Sequence, residues 1–269
     1  MNNTNLSIII PVYNAQKYLA AALESIIQTK KQNYELILID DGSTDESLKI
    51  CEQYNKQFPF IKVIHQENKG VSEARNRGIE ASKGKYLFFM DADDEISSSF
   101  LKKMLLTSDE YDMVECLFAK DEEEIDESVG CPEVVTANVF KRNLLNTDFK
   151  NYNGYLCNKI FLSRIIKKYN LSFLSGITVW EDLLFIMEYL TYCKRVRIVK
   201  EKLYFYRQRK NSAVHDYTKL NTMLKSKISV CKKALKYTKP FDRLFNDLIY
   251  WYIRYNLSYI KHKILDKNF

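Results

Sequence analysis

Long hydrophobic runs are missing from this chain of 269 residues. The first apolar stretch, residues 7–10, stops at Pro11, and residues 1–6 carry no basic side chain. That is too short for a signal-peptide core, and no later stretch reaches the roughly 18 apolar residues of a spanning helix. The expectation is a protein that starts soluble and stays on the side of the membrane where it is made. Paired cysteines are missing too: six cysteines, at 51, 116, 131, 157, 193 and 231, include no C-x-x-C spacing. They read as scattered buried thiols in a reducing compartment, with a zinc site or disulfide framework disfavoured. No G-x-G-x-x-G occurs, which removes support for a dinucleotide-dependent oxidoreductase. The first β-rich run ends Pro11-Val12-Tyr13-Asn14 without glycine, which counts against the phosphate loop of a nucleotidyltransferase. Neither internal repeats nor a disorder-type composition is found.

What is present is an ordinary globular composition, 46% apolar and 28% charged. The length suits one large domain, or one domain with an appended helical piece. The net charge of +7 is unevenly placed. From Lys219 onward twelve Lys or Arg face three acids, a balance of +9, whereas the residues before it hold 29 bases and 31 acids, −2. The excess positive charge therefore sits in the C-terminal tail.

The first half alternates short apolar runs with amphipathic ones. Residues 7–12, 35–39, 61–65 and 86–90 have the character of strands. Asn14 is placed to cap a helix whose Leu19, Ala22, Leu23, Ile26 and Ile27 recur on one face. Ser43 and Glu46 have the spacing of a capping box, and a third helix follows Gly70 to about Ser82. This order implies an α/β fold, a mostly parallel sheet flanked by helices, with ligands at the carboxyl ends of the strands. Those ends are polar: Tyr13-Asn14, Asp40-Asp41, residues 66–68 and Asp91 to Asp94.

After Val114 the pattern loosens. Residues 121–127 read as a solvated acidic loop, 137–145 as a helix, and 180–192 as a helix buried on most sides. Residues 152–161 resist assignment. Residues 195–199 and 203–207 look like two short strands, and 217–237 and 241–263 like two closing helices separated by Pro240.

The densest chemistry is Asp91-Ala92-Asp93-Asp94, delivered by the strand at 86–90. Clustered carboxylates offer the hard oxygen ligands that suit Mg²⁺ or Mn²⁺, and such an ion could neutralise the diphosphate of a leaving nucleotide. An acidic turn capping the next helix has the same local sequence.

Three further stretches precede it in order: residues 7–14 ending Pro11-Val12-Tyr13-Asn14, Asp40-Asp41-Gly42-Ser43-Thr44-Asp45, and Asn68-Lys69-Gly70 through Arg75-Asn76-Arg77-Gly78. Together the four resemble family-2 glycosyltransferases of the GT-A (Rossmann-like) fold, strongly over about residues 6–100. Weaker agreement continues through Trp180-Glu181-Asp182 and residues 204–212. The resemblance implies that Pro11 and Tyr13 line a nucleobase pocket and that Asp41 accepts a hydrogen bond from the base edge, which fits uracil. It implies Asn68 near the ribose, Arg75 near base and phosphates, Asp93 as direct metal ligand and Asp91 holding metal or ribose. Asp40 is expected only to support its turn.

Glu181-Asp182 follows the family's general-base motif, and a carboxylate there can take the proton of an acceptor hydroxyl. Acids also favour a first helical turn for electrostatic reasons alone, and that position favours the ionised form. Asp182 is the expected base, with Glu181 beside it for acceptor hydroxyls. Relatives close a flexible segment over the diphosphate near residues 207–215, which makes Arg207, Arg209 and Ser212 phosphate-binding candidates. His215 could complete the metal shell, although a lone histidine is more often structural.

The tail interleaves bases with aromatics, as in Tyr250-Trp251-Tyr252-Ile253-Arg254-Tyr255. Packing on the domain or in an oligomer, contact with an anionic membrane, and nucleic-acid binding are the three readings, the last weakest for want of a binding motif.

The expectation is a GT-A domain over residues 1–215, with a nucleotide-sugar half at 1–110 and an acceptor half at 111–215, then a helical extension at 216–269. Its reaction is expected to be inverting, metal-dependent transfer from a nucleotide-diphosphate sugar, UDP-linked by preference, to a glycan or lipid-linked glycan of the cell surface. Its expected place is cytoplasmic or peripheral on the inner face of the plasma membrane. A non-catalytic sugar-binding relative is the rival outside enzymes, and the retained Asp93 and Asp182 speak against it.

Overall fold

The computed structural model describes residues 5–29, 33–106, 110–120, 132–145, 154–208, 220–240 and 242–265. The first half alternates β1 (Leu6–Val12), α1 (Leu19–Ile27), β2 (Tyr34–Asp41), α2 (Ser47–Gln57), β3 (Ile61–Gln66), α3 (Val71–Ala81) and β4 (Tyr86–Phe89). The four strands pair parallel in the order β3-β2-β1-β4. Leu6, Ile8, Ile9, Ile10 and Val12 are all fully buried, so β1 is covered on both faces, which is why its apolar run is continuous rather than alternating.

The second half adds β5 (Glu95–Ile96), α4 (Phe100–Leu105), β6 (Met113–Ala119), β7 (Glu133–Thr136), α5 (Ala137–Asn143), β8 (Lys159–Leu162), α6 (Ser163–Lys168), α7 (Glu181–Tyr192) and β9 (Arg195–Phe205). The sheet becomes mixed here. β8 inserts antiparallel between β4 and β6, β6 runs parallel to β9, and β5 and β7 join β9 antiparallel. The unassigned stretch around 152–161 thus supplies the strand that joins the two halves of the sheet.

Several local readings are corrected. Residues 195–205 form one strand of eleven residues, not two, and 206–207 lie beyond its end. The polar break at Lys200-Glu201 does not end it, because buried Glu201 is neutralised by Lys103, and the partner β6 absorbs the mismatch with register shifts around Leu117. Asn14 caps no helix: at φ +49° its Oδ1 accepts from the Thr44 amide at 2.8 Å, tying the end of β1 to the loop after β2. Ser43 and Glu46 form no capping box, since Ser43 Oγ accepts instead from the Asn14 amide. The side chain that receives the amide at the start of α2 is Asp45, from Ser47 N–H at 2.9 Å. The acidic run at 121–127 lies outside the described residues.

Two helices close the chain, α8 (Leu220–Ala234) and α9 (Arg243–Leu265). They pack on the domain rather than standing apart. Val230, Cys231 and Ala234 of α8 and Leu244 and Leu248 of α9 are buried, Ser226 bonds Thr178, and Trp180 meets Tyr255 edge-on at 5.5 Å. The five cysteines among the described residues are free thiols.

Candidate active site

The carboxyl ends of β1, β2 and β4 bring the sequence motifs to one edge of the sheet. Pro11 is half-buried near the end of β1, and Tyr13 lies just beyond it, 52% exposed and open to a stacking partner. Asp41 ends β2 with 3% exposure. Its Oδ1 accepts from Gln66 Nε2 and the Lys69 amide, and its Oδ2 from the Gly70 amide, all at 2.8–2.9 Å. A carboxylate has about four acceptor directions, so Asp41 first holds the loop into α3 and retains one for another donor. Gly42, at φ +71°, closes the same turn; a Cβ there would lie 2.8 Å from the Asn68 backbone nitrogen. Asn68 itself is exposed. Asp40 supports its turn as expected, accepting from Ser43 N–H and sitting 2.7 Å from His65 Nδ1, while its other oxygen is buried without a partner.

Arg75, on α3, is the centre of the arrangement. Its side chain is 5% exposed, and it reaches three carboxylates from two distant parts of the chain. Nη1 donates to Asp182 Oδ1 at 2.7 Å and Glu181 Oε1 at 3.0 Å, and Nη2 donates to Asp91 Oδ1 at 3.1 Å. The guanidinium also lies over the Phe173 ring at 5.4 Å. Burial alone would lower the Arg75 pKa, but the carboxylates of Asp182, Asp91 and Glu181 outweigh it and raise it. Arg75 is thus a permanent cation that joins the strand-end carboxylate to the start of α7.

Glu181 and Asp182 form the first turn of α7, behind Trp180 in a left-handed conformation at φ 68°. For a bulky residue that conformation is strained, and it is held by the ring's packing on Tyr255 and Lys227. Asp182 differs from the sequence expectation in one respect. The helix start favours its ionised form, yet burial dominates and, with the Glu181 and Asp91 charges, carries its pKa up to about 7 against the pull of Arg75. A carboxylate poised near neutrality is a better proton acceptor than an ordinary aspartate.

The turn after β4 is stapled from β9. Asp94, 1% exposed, accepts from the Tyr204 hydroxyl and from the Arg207 amide, and burial followed by the charges of Asp91 and Asp93 pushes its pKa up to about 8. The Arg207 side chain donates to the Asp93 carbonyl at 3.1 Å and pairs with Glu95. Arg207 therefore reaches the acidic turn rather than standing open toward a phosphate. Asp91 and Asp93 remain half-buried at the strand end. Two oxygen donors of this kind, with further positions open to water and phosphate, fit the way Mg²⁺ or Mn²⁺ is commonly held. Among the described residues no three His, Cys, Asp or Glu side chains gather into an all-protein cage. Arg209, Ser212 and His215 lie outside the described residues.

The four motifs, their order and their convergence on one sheet edge agree with a recognised family. Residues 7–169 match glycosyl transferase family 2. The chain belongs to that family. It is 36% identical over 224 residues to the minor teichoic acid biosynthesis protein GgaA of Bacillus subtilis (strain 168), covering 76% of this chain and 47% of GgaA. Three other curated relatives are spanned over only 62–65% of their length. Among solved structures, S. aureus TarS 1–349 in complex with UDP-GlcNAc superposes with a TM-score of 0.73 at 22% identity, over 95% of this chain and 73% of that one. The mannosyltransferase PcManGT of Pyrobaculum calidifontis, in complex with GDP-Man and Mn²⁺, superposes with a TM-score of 0.69 at 14% identity, over 96% and 72%. The GT-A expectation for the fold is met.

The motifs announced most of these side chains. The buried Lys159 was not anticipated, because its stretch had no assignable periodicity. A lysine inside Cys157-Asn158-Lys159-Ile160-Phe161 is nevertheless a visible signal, since a charge in an apolar run is rarely buried without a partner.

Proposed function

We propose that this chain transfers a sugar, with inversion, from a nucleoside-diphosphate donor to a hydroxyl of a cell-surface glycan or its lipid-linked precursor. The observation that carries this reading is Arg75, whose single guanidinium bonds both Asp91 at the donor end and Asp182 at the acceptor end. Tyr13 and Pro11 flank the nucleobase, Asp41 offers its remaining acceptor direction to the base edge, and Asn68 faces the ribose. A UDP-linked donor is favoured by that acceptor, which suits the uracil N–H, and by the ligand of TarS. Asp91 and Asp93 would hold a divalent ion, whose charge neutralises the departing diphosphate. Asp182 takes the acceptor proton as the hydroxyl attacks from the face opposite the leaving group. Arg75 keeps the carboxylate aimed and offsets its charge. Arg209 and Ser212 are proposed for the diphosphate and His215 for the metal, with Arg207 steadying the acidic turn.

Attachment to an anionic membrane is proposed for the closing helices, on the side where the acceptor would lie. Tyr250, Ile253, Leu257 and Ile260 recur at helical spacing on α9, each more than half exposed, and Arg254 lies beside them. An apolar stripe flanked by bases suits the lipid interface. Among the described residues no helix is long and apolar enough to cross a membrane.

The test is a screen of nucleotide-sugars for nucleoside-diphosphate release with Mn²⁺, with glycan acceptors present and absent. Release that depends on both donor and Asp182 supports the reading. Binding of UDP-sugars without any release or transfer would make the chain a sugar-binding relative instead.

A further inference from the structure

The carboxyl edge of the sheet also carries a group of aromatic side chains that the donor site does not use. β8 is antiparallel to both β4 and β6, and β9 is parallel to β6. The ends of β4, β6 and β9 and the start of β8 therefore share the edge at which Asp91 and Asp93 stand. Phe118 lies near the end of β6, Tyr206 just past the end of β9, and Tyr155 four residues before β8. Tyr155 meets Phe118 edge-on with ring centroids 5.7 Å apart, and Phe118 meets Tyr206 edge-on at 6.5 Å. Phe118 and Tyr206 are half-buried, whereas Tyr155 is 57% exposed.

The neighbours on both sides place this group beside the proposed chemistry. The chain entering Tyr155 runs against the start of α7: a Cβ on Gly154 would lie 2.8 Å from Leu183 Cδ1 and 3.7 Å from Leu183 Cα, and Leu183 follows Asp182. On the other side Phe118 is paired in register with Tyr204, whose hydroxyl donates to Asp94. Tyr206 precedes Arg207, whose amide donates to the same carboxylate. The backbone here is held in place. Lys159 Nζ donates to the Tyr155 carbonyl at 2.6 Å, and the Tyr206 amide donates to the Ala119 carbonyl at 2.8 Å. The result is an exposed ring on a fixed support, next to the helix that carries Asp182. The carbon-bound hydrogens of a pyranose form an apolar face that packs on an aromatic ring, while its hydroxyls stay available to polar groups. A polyol phosphate has no such face. We propose that Tyr155, backed by Phe118 and Tyr206, is an acceptor subsite that stacks a pyranose ring. The acceptor then presents a sugar ring, not a polyol phosphate, to Asp182. This rests on the reading of the chain as a sugar transferase with Asp182 as the base.

The experiment compares the wild-type chain with Tyr155→Phe, which keeps the ring, Tyr155→Leu, which keeps only apolar bulk, and Tyr155→Ala. The probes are the methyl pyranosides of glucose, galactose and N-acetylglucosamine, with glycerol phosphate as the contrast. Saturation-transfer NMR, with and without UDP and Mn²⁺, reports binding of each probe. Calorimetry reports UDP affinity, and transfer from UDP-GlcNAc to each probe separates acceptor KM from donor KM. The wild type and Tyr155→Phe should saturate the ring C–H signals of at least one pyranoside, and Tyr155→Leu and Tyr155→Ala should lose this. Acceptor KM should rise about tenfold in those two variants, with UDP affinity and donor KM within about twofold. A merely structural tyrosine would lower the melting temperature and leave acceptor KM unmoved.

A folded Tyr155→Leu that binds the pyranosides as the wild type does overturns the proposal. So does a wild type that saturates none of them, or glycerol phosphate binding that depends on Tyr155 to the same degree. Tyr155→Leu retains an apolar side chain against Phe118, so it carries the comparison if Tyr155→Ala does not fold. The two levels are separable. If UDP does not bind and no donor is turned over, the transferase reading fails, and the pyranoside signals without nucleotide still decide the subsite. If transfer proceeds and needs Asp182 while the Tyr155 variants keep acceptor KM, only the subsite fails.

Discussion

Arg75 Nη1 lies 2.7 Å from Asp182 Oδ1, a bond between residues 107 positions apart in the chain. The same guanidinium holds Asp91, so one side chain ties the end of β4 to the start of α7.

Arg75→Lys should expose that dependence. Lysine keeps the charge but lacks the fork that serves three carboxylates at once, so kcat should fall by about 10- to 100-fold with the fold retained. Arg75→Met leaves buried acids without their cation and should cost about 3–5 kcal/mol in urea unfolding. Wild-type turnover in Arg75→Lys would show that the fork is not needed.

Asp182→Asn is nearly isosteric, and the amide cannot accept the acceptor's proton. Transfer should be abolished while UDP affinity by calorimetry stays within about twofold. For the wild type, the Asp182 pKa of about 7 sets the sign of the pH response. The base works only when deprotonated, so kcat/KM should rise with pH and level off above about 7 instead of above the ordinary carboxylate range. An acid limb near 4 would remove Asp182 from this role.

Metal removal tests the strand-end carboxylates. EDTA should stop transfer, and Mn²⁺ or Mg²⁺ should restore it, because Asp91 and Asp93 offer only oxygen. Asp93→Asn should weaken UDP binding in the presence of Mn²⁺ and leave binding in EDTA unchanged. Full turnover in chelator would contradict the metal assignment.

Gly42→Ala probes the loop that Asp41 clamps. The residue sits at φ +71°, and its new Cβ would press on the Asn68 backbone at 2.8 Å. A cost of about 1–2 kcal/mol from the left-handed conformation, together with a shifted loop, should appear as a lower melting temperature and weaker UDP binding. Unchanged affinity would detach this loop from the donor.

Leu257 lies at the middle of the exposed stripe on α9, so Leu257→Glu should leave folding and donor affinity intact. Flotation with anionic vesicles at low salt should lose binding in this variant, and in the wild type the binding should weaken as salt rises. Wild-type protein that ignores anionic vesicles even at low salt would make the helix a packing element only.

The order of strands and helices as far as β4, and the polar strand ends that carry Tyr13, Asp41, Asp91 and Asp93, were written in the sequence. Apolar periodicity is a local property, and carboxylates that follow a buried strand have only the sheet edge to occupy. The motifs then marked Asp182 by type and position. Tertiary structure alone decided the rest. Asn14 and Ser43 carry helix-capping signatures, yet a residue 29–30 positions away offered each a better bond. Residues 195–205 became one strand because Lys103, 98 positions before Glu201, neutralises that acid inside the sheet. The pKa of Asp182 rose because burial, which local sequence does not encode, outweighed both the helix start and Arg75. The residues just before Lys159 showed no period, and Asn158 among them bonds Glu115 and the Cys116 carbonyl of β6, more than 40 positions away. Desolvation and hydrogen bonds between distant segments exist only once the topology has closed, so those parts of the site had no local signature to read.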